Sequence, residues 1–468
     1  MSQLRKKLFG DKAFYKMVLG VSVPIMIQNA ITNFVSLLDN LMVGKVGTEQ
    51  MSGVAIVNQL VMVYFLCIFG GISAAGIFTS QYYGQKDTAG IRNTFRFKIW
   101  TVVIITAIAS LVLGFFGEPL IKLYLNEGSA EGDLEATLIY GKKYLKIILL
   151  SFPAFMIQQV YSSTMRECGK TVTPMVAGVV AVLVNLIINY LLIFGKFGCP
   201  KLGVSGAAIG TAVSRYVEAG IVIVWTHSHK KRFSYIEGIY KTLLVPKWLA
   251  KKIIVTGTPL LINEGMWSAG MAAMLQGYSM RGLAAVAGMN IANTIINLFS
   301  VMFIALGNSV AIIIGKLLGA GKMEEAKDTD RKMIFFAVLV SVVVGVIVFF
   351  IAPAFPNLYN ATAEAKALAK EFIKVQAVFL PQMAFIHATY FTMRSGGKTF
   401  ITFLFDSVFV WIISVPVVFI LSRFTDLYVV WIFVAVQLAD IIKSVVGFIL
   451  VKKGVWIQNI VVEKRKYD

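Results

Sequence analysis

The sequence has little charge, little cysteine and a shortage of acidic residues. Only 15% of its 468 residues are charged, against about a quarter in soluble domains. In contrast, 57% are hydrophobic, and the mean hydropathy is +0.76. So few charges cannot cover the surface of a soluble fold of this size. The three cysteines, Cys67, Cys168 and Cys199, have no paired spacing, which excludes a disulfide framework. The composition therefore indicates an all-α polytopic membrane protein.

Motifs for chemistry are also missing. The sequence contains neither a GxxxxGK[ST] phosphate-binding loop nor an HExxH metal motif. An intramembrane enzyme, such as a lipid transferase, would need acid–base or metal-binding groups clustered near one interface, and none is visible. We therefore expect no enzymatic activity and no cofactor. Any work that the protein does must be driven by an ion gradient or by the gradient of its own solute.

Twelve mostly apolar runs are each long enough to cross a bilayer as a helix, which takes about 20 residues. Their character is continuous and not alternating, which favours helices over a transmembrane β-barrel. We predict spans over residues 17–44, 52–82, 97–117, 138–163, 173–195, 206–227, 250–280, 284–315, 333–355, 368–393, 400–422 and 427–451.

The basic excess gives the orientation. Lys and Arg number 44 against 24 Asp and Glu, a formal charge of +20. One alternate set of tails and loops, which includes both termini, carries 30 of the basic residues and the other carries 12. The positive-inside rule then places both termini in the cytoplasm of a cell-membrane protein. No loop is long enough to form a basic domain, so we expect the partner to be the lipid bilayer and not nucleic acid.

The chain contains an internal repeat. Pro24 and Pro259 lie 235 residues apart, as do Asn58 and Asn293, and Gly84 and Gly319. Further on, the MRxxGKT pattern that begins at Met165 returns at Met393. The matches occur in the same order, which predicts two parallel six-span halves, an arrangement typical of transporters. We predict an N-lobe at 1–227, a basic cytoplasmic linker at 228–249 and a C-lobe at 250–468.

Few charged residues fall inside the spans, where a charge costs about 2.5–3.5 kcal/mol or more. Asp39 lies late in the first span. Asn185 and Asn189 share a face of the fifth, and Thr211 follows a run of small residues in the sixth. These side chains form an all-oxygen set that suits a hard cation such as Na⁺, while the carboxylate alone could take up a proton. The alternative is interhelical hydrogen bonding without an ion.

Glu264 is the acid of the seventh span, and Asn29 is its counterpart in the first half. Aromatic and thioether side chains follow it: Met266, Trp267, Met271 and Tyr278. An anion among such groups suits a bulky organic cation, through charge and cation–π contact. We predict that these residues, with Asn29 and Asn33, bind the cargo. The alternative is that the apolar members only pack the bundle.

Other charged residues in the spans are expected to be structural. Arg215 and Glu218 are spaced as a pair on one helix face, and so are Asp440 and Lys443. Asp406 has no partner nearby in the sequence and stays an open candidate. His387 is expected to form a hydrogen bond with a neighbour, and the alternative is that it carries protons.

These features together resemble the multidrug and toxic compound extrusion (MATE) family, in its NorM-like branch. The resemblance rests on Pro24 and Asp39 in the first span, the sequence LMVGKVGTEQMSGVAI after it, the cytoplasmic YYGQKD and the repeated MRxxGKT. It covers essentially the whole chain. It implies a V-shaped pair of six-helix lobes that open alternately to either side, with Pro24 as a hinge.

The resemblance also implies a function and a site. Members of the family export organic cations and drugs in exchange for Na⁺ or H⁺, and the family's N-lobe cation site matches Asp39, Asn185, Asn189, Ala207 and Thr211. The acid that the NorM-like branch carries in the tenth span is replaced here by Met383. We therefore predict a monomeric multidrug antiporter coupled through its N-lobe. The alternatives are a related exporter or flippase of a lipid-linked or metabolite substrate, and a passive channel.

Overall fold

The computed structural model describes residues 7–125 and 133–462. Thirteen long helices make up these parts of the chain, which contain no β-strand. Their bounds are α1 Lys12–Gly44, α2 Thr48–Gly84, α3 Thr88–Lys122, α4 Leu134–Leu149, α5 Phe152–Glu167, α6 Val172–Phe194, α7 Val204–Ser228, α8 Lys247–Ser279, α9 Leu283–Gly319, α10 Met323–Ile351, α11 Ala363–Ser395, α12 Thr399–Phe424 and α13 Val429–Lys453.

The predicted all-α fold with twelve helical segments in two repeats is confirmed. Helices α4 and α5 form one segment that bends by 48° at Leu150 and Ser151. Pro153 stands in the first turn of α5, where its missing N–H leaves no helical bond unmade. The other eleven segments are single helices that follow the predicted order of spans.

Hydropathy singles out fewer spans than length does. Within the described residues, nine helices are long and apolar enough to cross a membrane, and the bent pair makes ten. Helices α8 and α11 have 33 residues each, as long as α1, but they are too polar to reach the same hydropathy. They hold Glu264 and His387, so the two segments that do not reach this hydropathy carry polar residues singled out by the sequence.

The described chain divides into two compact units. The N-terminal unit comprises Ile27–Thr79 and Asp87–Ala250, and the C-terminal unit comprises Met1–Met26, Ser80–Lys86 and Lys251–Asp468. Helix α1 therefore changes unit two residues after Pro24. The lobe boundaries predicted from the sequence stay a prediction.

The first part of α1 is built into the core of the C-terminal unit. In the C-terminal unit, one stripe of α1 (Phe14, Val18, Val21 and Ile25) packs on buried residues of α9 and α10. Their spacing of three or four residues is that of one helix face.

The internal repeat also appears in hydrogen bonds between helices. The Tyr144 hydroxyl donates to Asn58 Oδ1 over 3.4 Å, and Gln376 Nε2 donates to Asn293 Oδ1 over 3.3 Å. Asn58 and Asn293 are the repeat-related pair noted above.

The segment between α7 and α8 is held against α3 in the N-terminal unit. Arg92 Nε donates to the Tyr235 carbonyl over 3.2 Å, Arg96 Nε to that of Ile239 over 2.9 Å, and Trp100 Nε1 to that of Leu243 over 3.0 Å. The three donors follow one another at one helical turn on α3, and each acceptor lies 143 residues further along the chain. The predicted linker is thus a docked segment.

Candidate functional site

The Asp39 carboxylate lies beside two carboxamides in the N-terminal unit. Asn189 Nδ2 donates to Asp39 Oδ1 over 2.7 Å. The orientation of Asn185 that satisfies both atoms of its amide places its nitrogen 3.0 and 3.2 Å from the two Asp39 oxygens, with its oxygen 3.2 Å from the Thr211 N–H. The structure therefore brings together Asp39 of α1, both asparagines of α6 and Thr211 of α7.

The close packing of α6 and α7 explains why these groups meet. A Cβ on Gly206 would lie 2.7 Å from the carbonyl carbon of Leu192, and one on Gly210 would lie 2.0 Å from Asn189 Oδ1. Only a residue without a side chain permits this approach. Ala207 is buried one turn before Thr211 on the same helix. The small residues of α7 thus leave room for the asparagines of α6.

One oxygen of this cluster is left over. Asn189 Oδ1 is buried and has no hydrogen-bond partner among the residues that the structure describes. A buried polar atom without a partner is costly, so it needs an explanation such as a bound ion or water. The Asp39 carboxylate is thus met by two amide donors, and Asn189 Oδ1 is the neutral oxygen of the cluster that is left without a partner in the described part of the structure.

Tyr144 of α4 lies beside the same cluster, a position that its sequence context does not predict. Its hydroxyl lies near Thr211 and within electrostatic range of the Asp39 carboxylate, and it donates its hydrogen bond to Asn58 Oδ1 over 3.4 Å. Its signal in the sequence is a stripe at helical spacing, because Thr137, Gly141 and Tyr144 are all buried on one face of α4. The lysines of α4 interrupt this pattern, so the stripe does not stand out in the sequence.

Arg215 is the basic residue whose charge acts on the Asp39 carboxylate. Its direct partner is Glu218, with Nη1 and Oε2 3.1 Å apart, as predicted. Gln158 Nε2 also donates to Glu218 Oε1 over 2.8 Å. Arg215 is therefore neutralised on its own helix.

The candidate cargo residues are only partly brought together. Glu264 is half-buried on α8, and Trp267 and Met271, which share its helix face, are each 43% exposed. Tyr278 follows on that face but is 2% exposed and packs edge-on against Phe433 at 6.0 Å.

The remaining members lie elsewhere. Met266 is on another face of α8, where its carbonyl accepts from Trp411 Nε1 over 2.9 Å. Asn29 is half-buried and Asn33 exposed, and both belong to the N-terminal unit. The structure thus groups Glu264, Trp267 and Met271 along one accessible helix face.

The C-terminal unit contains a second polar cluster that the sequence did not reveal. Lys443 Nζ lies 2.8 Å from Asp406 Oδ1, so the lysine forms its ion pair with α12. Sequence spacing had assigned it to Asp440. His387 behaves as expected, because its Nδ1–H donates to the Met383 carbonyl over 2.9 Å. No group of three or more His, Cys, Asp or Glu side chains that could hold a metal occurs in the described part of the chain.

A family model agrees with the internal repeat. The MatE model matches the chain twice, over residues 24–191 and 261–420. Each match begins near a repeat-related proline, Pro24 or Pro259. The chain belongs to the MATE family of multidrug efflux transporters. It is therefore a multi-pass membrane protein, and the resemblance found in the sequence is confirmed.

Individual MATE relatives match along nearly their whole length. The chain is 28% identical over 460 residues to a probable multidrug resistance protein NorM of Thermotoga maritima, covering 96% of this chain and 95% of the relative. It is 25% identical over 419 residues to another protein of that name from Oceanobacillus iheyensis, covering 88% and 90%. A crystal structure of MATE in the bent conformation superposes with a TM-score of 0.83 at 19% identity, covering 96% of each chain.

Proposed function

We propose that this MATE protein is a secondary antiporter that exports amphipathic organic cations in exchange for Na⁺ or H⁺. The observation that carries the proposal is the Asp39 cluster, in which a carboxylate at membrane depth meets two asparagines and a leftover buried oxygen on Asn189. The relatives named as multidrug resistance proteins support drugs as the cargo.

Ion binding at Asp39 drives the cycle through differential affinity. An ion shifts a conformational equilibrium only if it binds one state more tightly than the other. Asp39, Asn185, Asn189 and Thr211 lie on three helices, so their oxygens surround an ion in only some arrangements of these helices. Pro24 cannot donate a helical hydrogen bond and allows α1 to bend. Alternate bending of α1 couples the occupancy of Asp39 to the access state.

The cargo is held by Glu264 of α8. Its carboxylate attracts a cation, while Trp267 offers a ring face and Met271 a polarisable thioether. Both of these side chains are accessible, as a binding surface requires. Tyr278 supports this helix face from the core, where it packs against Phe433.

The protein works as a monomer in the cell membrane, with both termini in the cytoplasm. This orientation follows from the distribution of basic residues between alternate loops.

Export of an anionic lipid-linked substrate or metabolite is the alternative, and it would need an uncompensated cation. Two basic residues of the spans, Arg215 and Lys443, are each paired with an acid, Glu218 and Asp406, and are therefore not uncompensated. The geometry therefore favours cationic cargo.

The test is dye transport in proteoliposomes with imposed Na⁺ or pH gradients. The wild type is expected to move a cationic dye against its gradient when an inward ion gradient is applied, and Asp39→Asn is expected to lose this response. Asp426→Asn makes the same chemical change at an exposed position and is expected to behave like the wild type. Gradient-driven transport by Asp39→Asn at the wild-type rate would refute the proposal.

A further inference from the structure

The C-terminal unit holds a buried ion pair. Asp406 lies in a π-helical stretch of α12, Leu404–Val408, and Lys443 lies on α13. The ammonium and Oδ1 are 2.8 Å apart, and the two side chains are 8% and 18% exposed for Lys443 and Asp406. A pair so little exposed to water is weakly screened, and removing either partner leaves an uncompensated buried charge.

Asp406 and Lys443 each have a further favourable contact besides their ion pair. Asn263 Nδ2 donates to the second Asp406 oxygen over 3.1 Å, and Asn263 Oδ1 accepts from Ser407 Oγ over 2.7 Å. The Lys443 ammonium also lies 5.3 and 5.8 Å from the ring centroids of Phe405 and Phe409. Each charge therefore has a direct partner and a second favourable contact.

Other charged and titratable groups lie around this pair at longer range. Asp406 interacts electrostatically with four titratable groups on α8, α11 and α13: Glu264, His387, Tyr390 and Asp440. Arg394 acts on Glu264 and Tyr390. Among the described residues, Lys443 is the one cation in salt-bridge contact with Asp406.

The two units compensate the charge of a partly buried carboxylate in different ways. Asp39 meets carboxamides, and the described residues place no Lys, Arg or His within salt-bridge distance of it, while Asn189 Oδ1 lacks a partner. At Asp406, an ammonium group already occupies the place of a small cation. We propose that Lys443 is the resident countercation of the C-terminal unit, so that Asp406 binds no ion from solution and a single coupling ion is bound at Asp39. This inference rests on the proposed function for its account of Asp39.

The proposal predicts that removal of the ammonium creates a new cation site. The thermal stability of the purified protein is measured while Na⁺ is titrated against choline, at neutral and at acidic pH. A ligand that binds the folded state raises the melting temperature with concentration. In an Asp39→Asn background, Lys443→Met is expected to introduce a rise in melting temperature with Na⁺ or with acid. Adding Asp406→Asn is expected to abolish the rise, and Lys443→Arg in place of Lys443→Met is expected not to produce it.

One result of this titration would contradict the proposal. If Asp39→Asn/Lys443→Met responds to Na⁺ and to acid no more than Asp39→Asn does, Lys443 is not a countercation and the proposal is wrong. The comparison of Lys443→Met with Lys443→Met/Asp406→Asn decides the question even if Asp39→Asn keeps the full wild-type ion response. That last result would instead count against the proposed function of Asp39, so the two failures are distinguishable.

Discussion

Gly84 and Gly319, which are related by the internal repeat, each face the backbone of the helix that carries the other. A Cβ on Gly84 of α2 would lie 2.1 Å from the carbonyl oxygen of Lys316, and one on Gly319 of α9 would lie 2.0 Å from that of Gln81. Both helices have 37 residues, about 55 Å at 1.5 Å per residue, so they extend beyond the hydrocarbon core of a bilayer. The crossing brings two backbones into contact where only glycine fits.

Substitution at this crossing is expected to destabilise the protein. Gly84→Ala and Gly319→Ala each force a methyl group against backbone that cannot move aside, at a cost of about 1–3 kcal/mol, the range for overpacking. The measurement is the melting temperature in detergent. Gly114→Ala on α3 is the matched control, because no atom lies within 4 Å of its Cβ position, and it is expected to cause no loss. Equal melting temperatures for all three variants would contradict the close crossing.

Gly210→Ala is expected to weaken ion coupling without removing any ligand. The added methyl would lie 2.0 Å from Asn189 Oδ1 and displace the side chain that donates to Asp39. Loss of this contact predicts a decrease in apparent ion affinity on the order of ten-fold, equivalent to about 1.4 kcal/mol. Ion dependence of dye transport in proteoliposomes measures it. Gly220→Ala, on the same helix with open space at its Cβ, is expected to leave the ion affinity unchanged, and a similar effect of both variants would rule out the mechanism.

Glu264→Gln is expected to discriminate between cargoes by charge. Loss of the carboxylate removes the attraction for a cation but leaves Trp267 and Met271 in place, so affinity should fall for a cationic dye and hold for a neutral one of similar size. Binding to the purified protein, followed by fluorescence, measures both. Tyr278→Phe removes a buried hydroxyl that has no partner in the described part of the chain, and it is expected to preserve dye affinity. Parallel losses for both dyes in Glu264→Gln would contradict the assignment.

The docked linker predicts a change in protease sensitivity. Arg96 is buried and donates to the carbonyls of Ile239 and Gly238 over 2.9 and 3.0 Å, so Arg96→Ala leaves two acceptors without their donor. Limited trypsin digestion is expected to cut Arg96→Ala faster than the wild type in the stretch Lys230–Lys241. Arg92 makes longer contacts with the same segment, at 3.2 and 3.5 Å, and Arg92→Ala should have a smaller effect. Unchanged digestion in both variants would show that α3 does not hold the segment.

Much of the fold could be predicted from the sequence because its signals are local or repeated. Long apolar runs define the helices, and repeat-related positions such as Pro24 and Pro259 define the halves. The Asp39 cluster was predictable in part, because Asn185 and Asn189 share a helix face and Asp39 stands out as an acid within a predicted span. The resemblance to a family supplied Ala207, and the structure places it one turn before Thr211.

The rest depends on which helices meet. Tyr144 joins the Asp39 cluster from a helix rich in lysine, and no local pattern connects it with α1 or α7. Lys443 has an acid three residues before it on α13, yet its ion pair is with Asp406 on α12. Tyr278 has the spacing of a cargo ligand but lies in the core, because α13 covers it with Phe433. Sequence spacing describes one helix at a time and carries no information on such contacts.

The most direct test of the antiport mechanism is ion movement driven by the cargo. Proteoliposomes are prepared with equal Na⁺ and pH on both sides, a cationic dye is added to one side only, and ²²Na⁺ flux and internal pH are followed. The account predicts that the dye gradient drives Na⁺ or H⁺ in the opposite direction in the wild type and in Asp426→Asn, and that Asp39→Asn moves neither ion. Dye entry without ion movement in the wild type, or dye-driven ion flux that persists in Asp39→Asn, would contradict it.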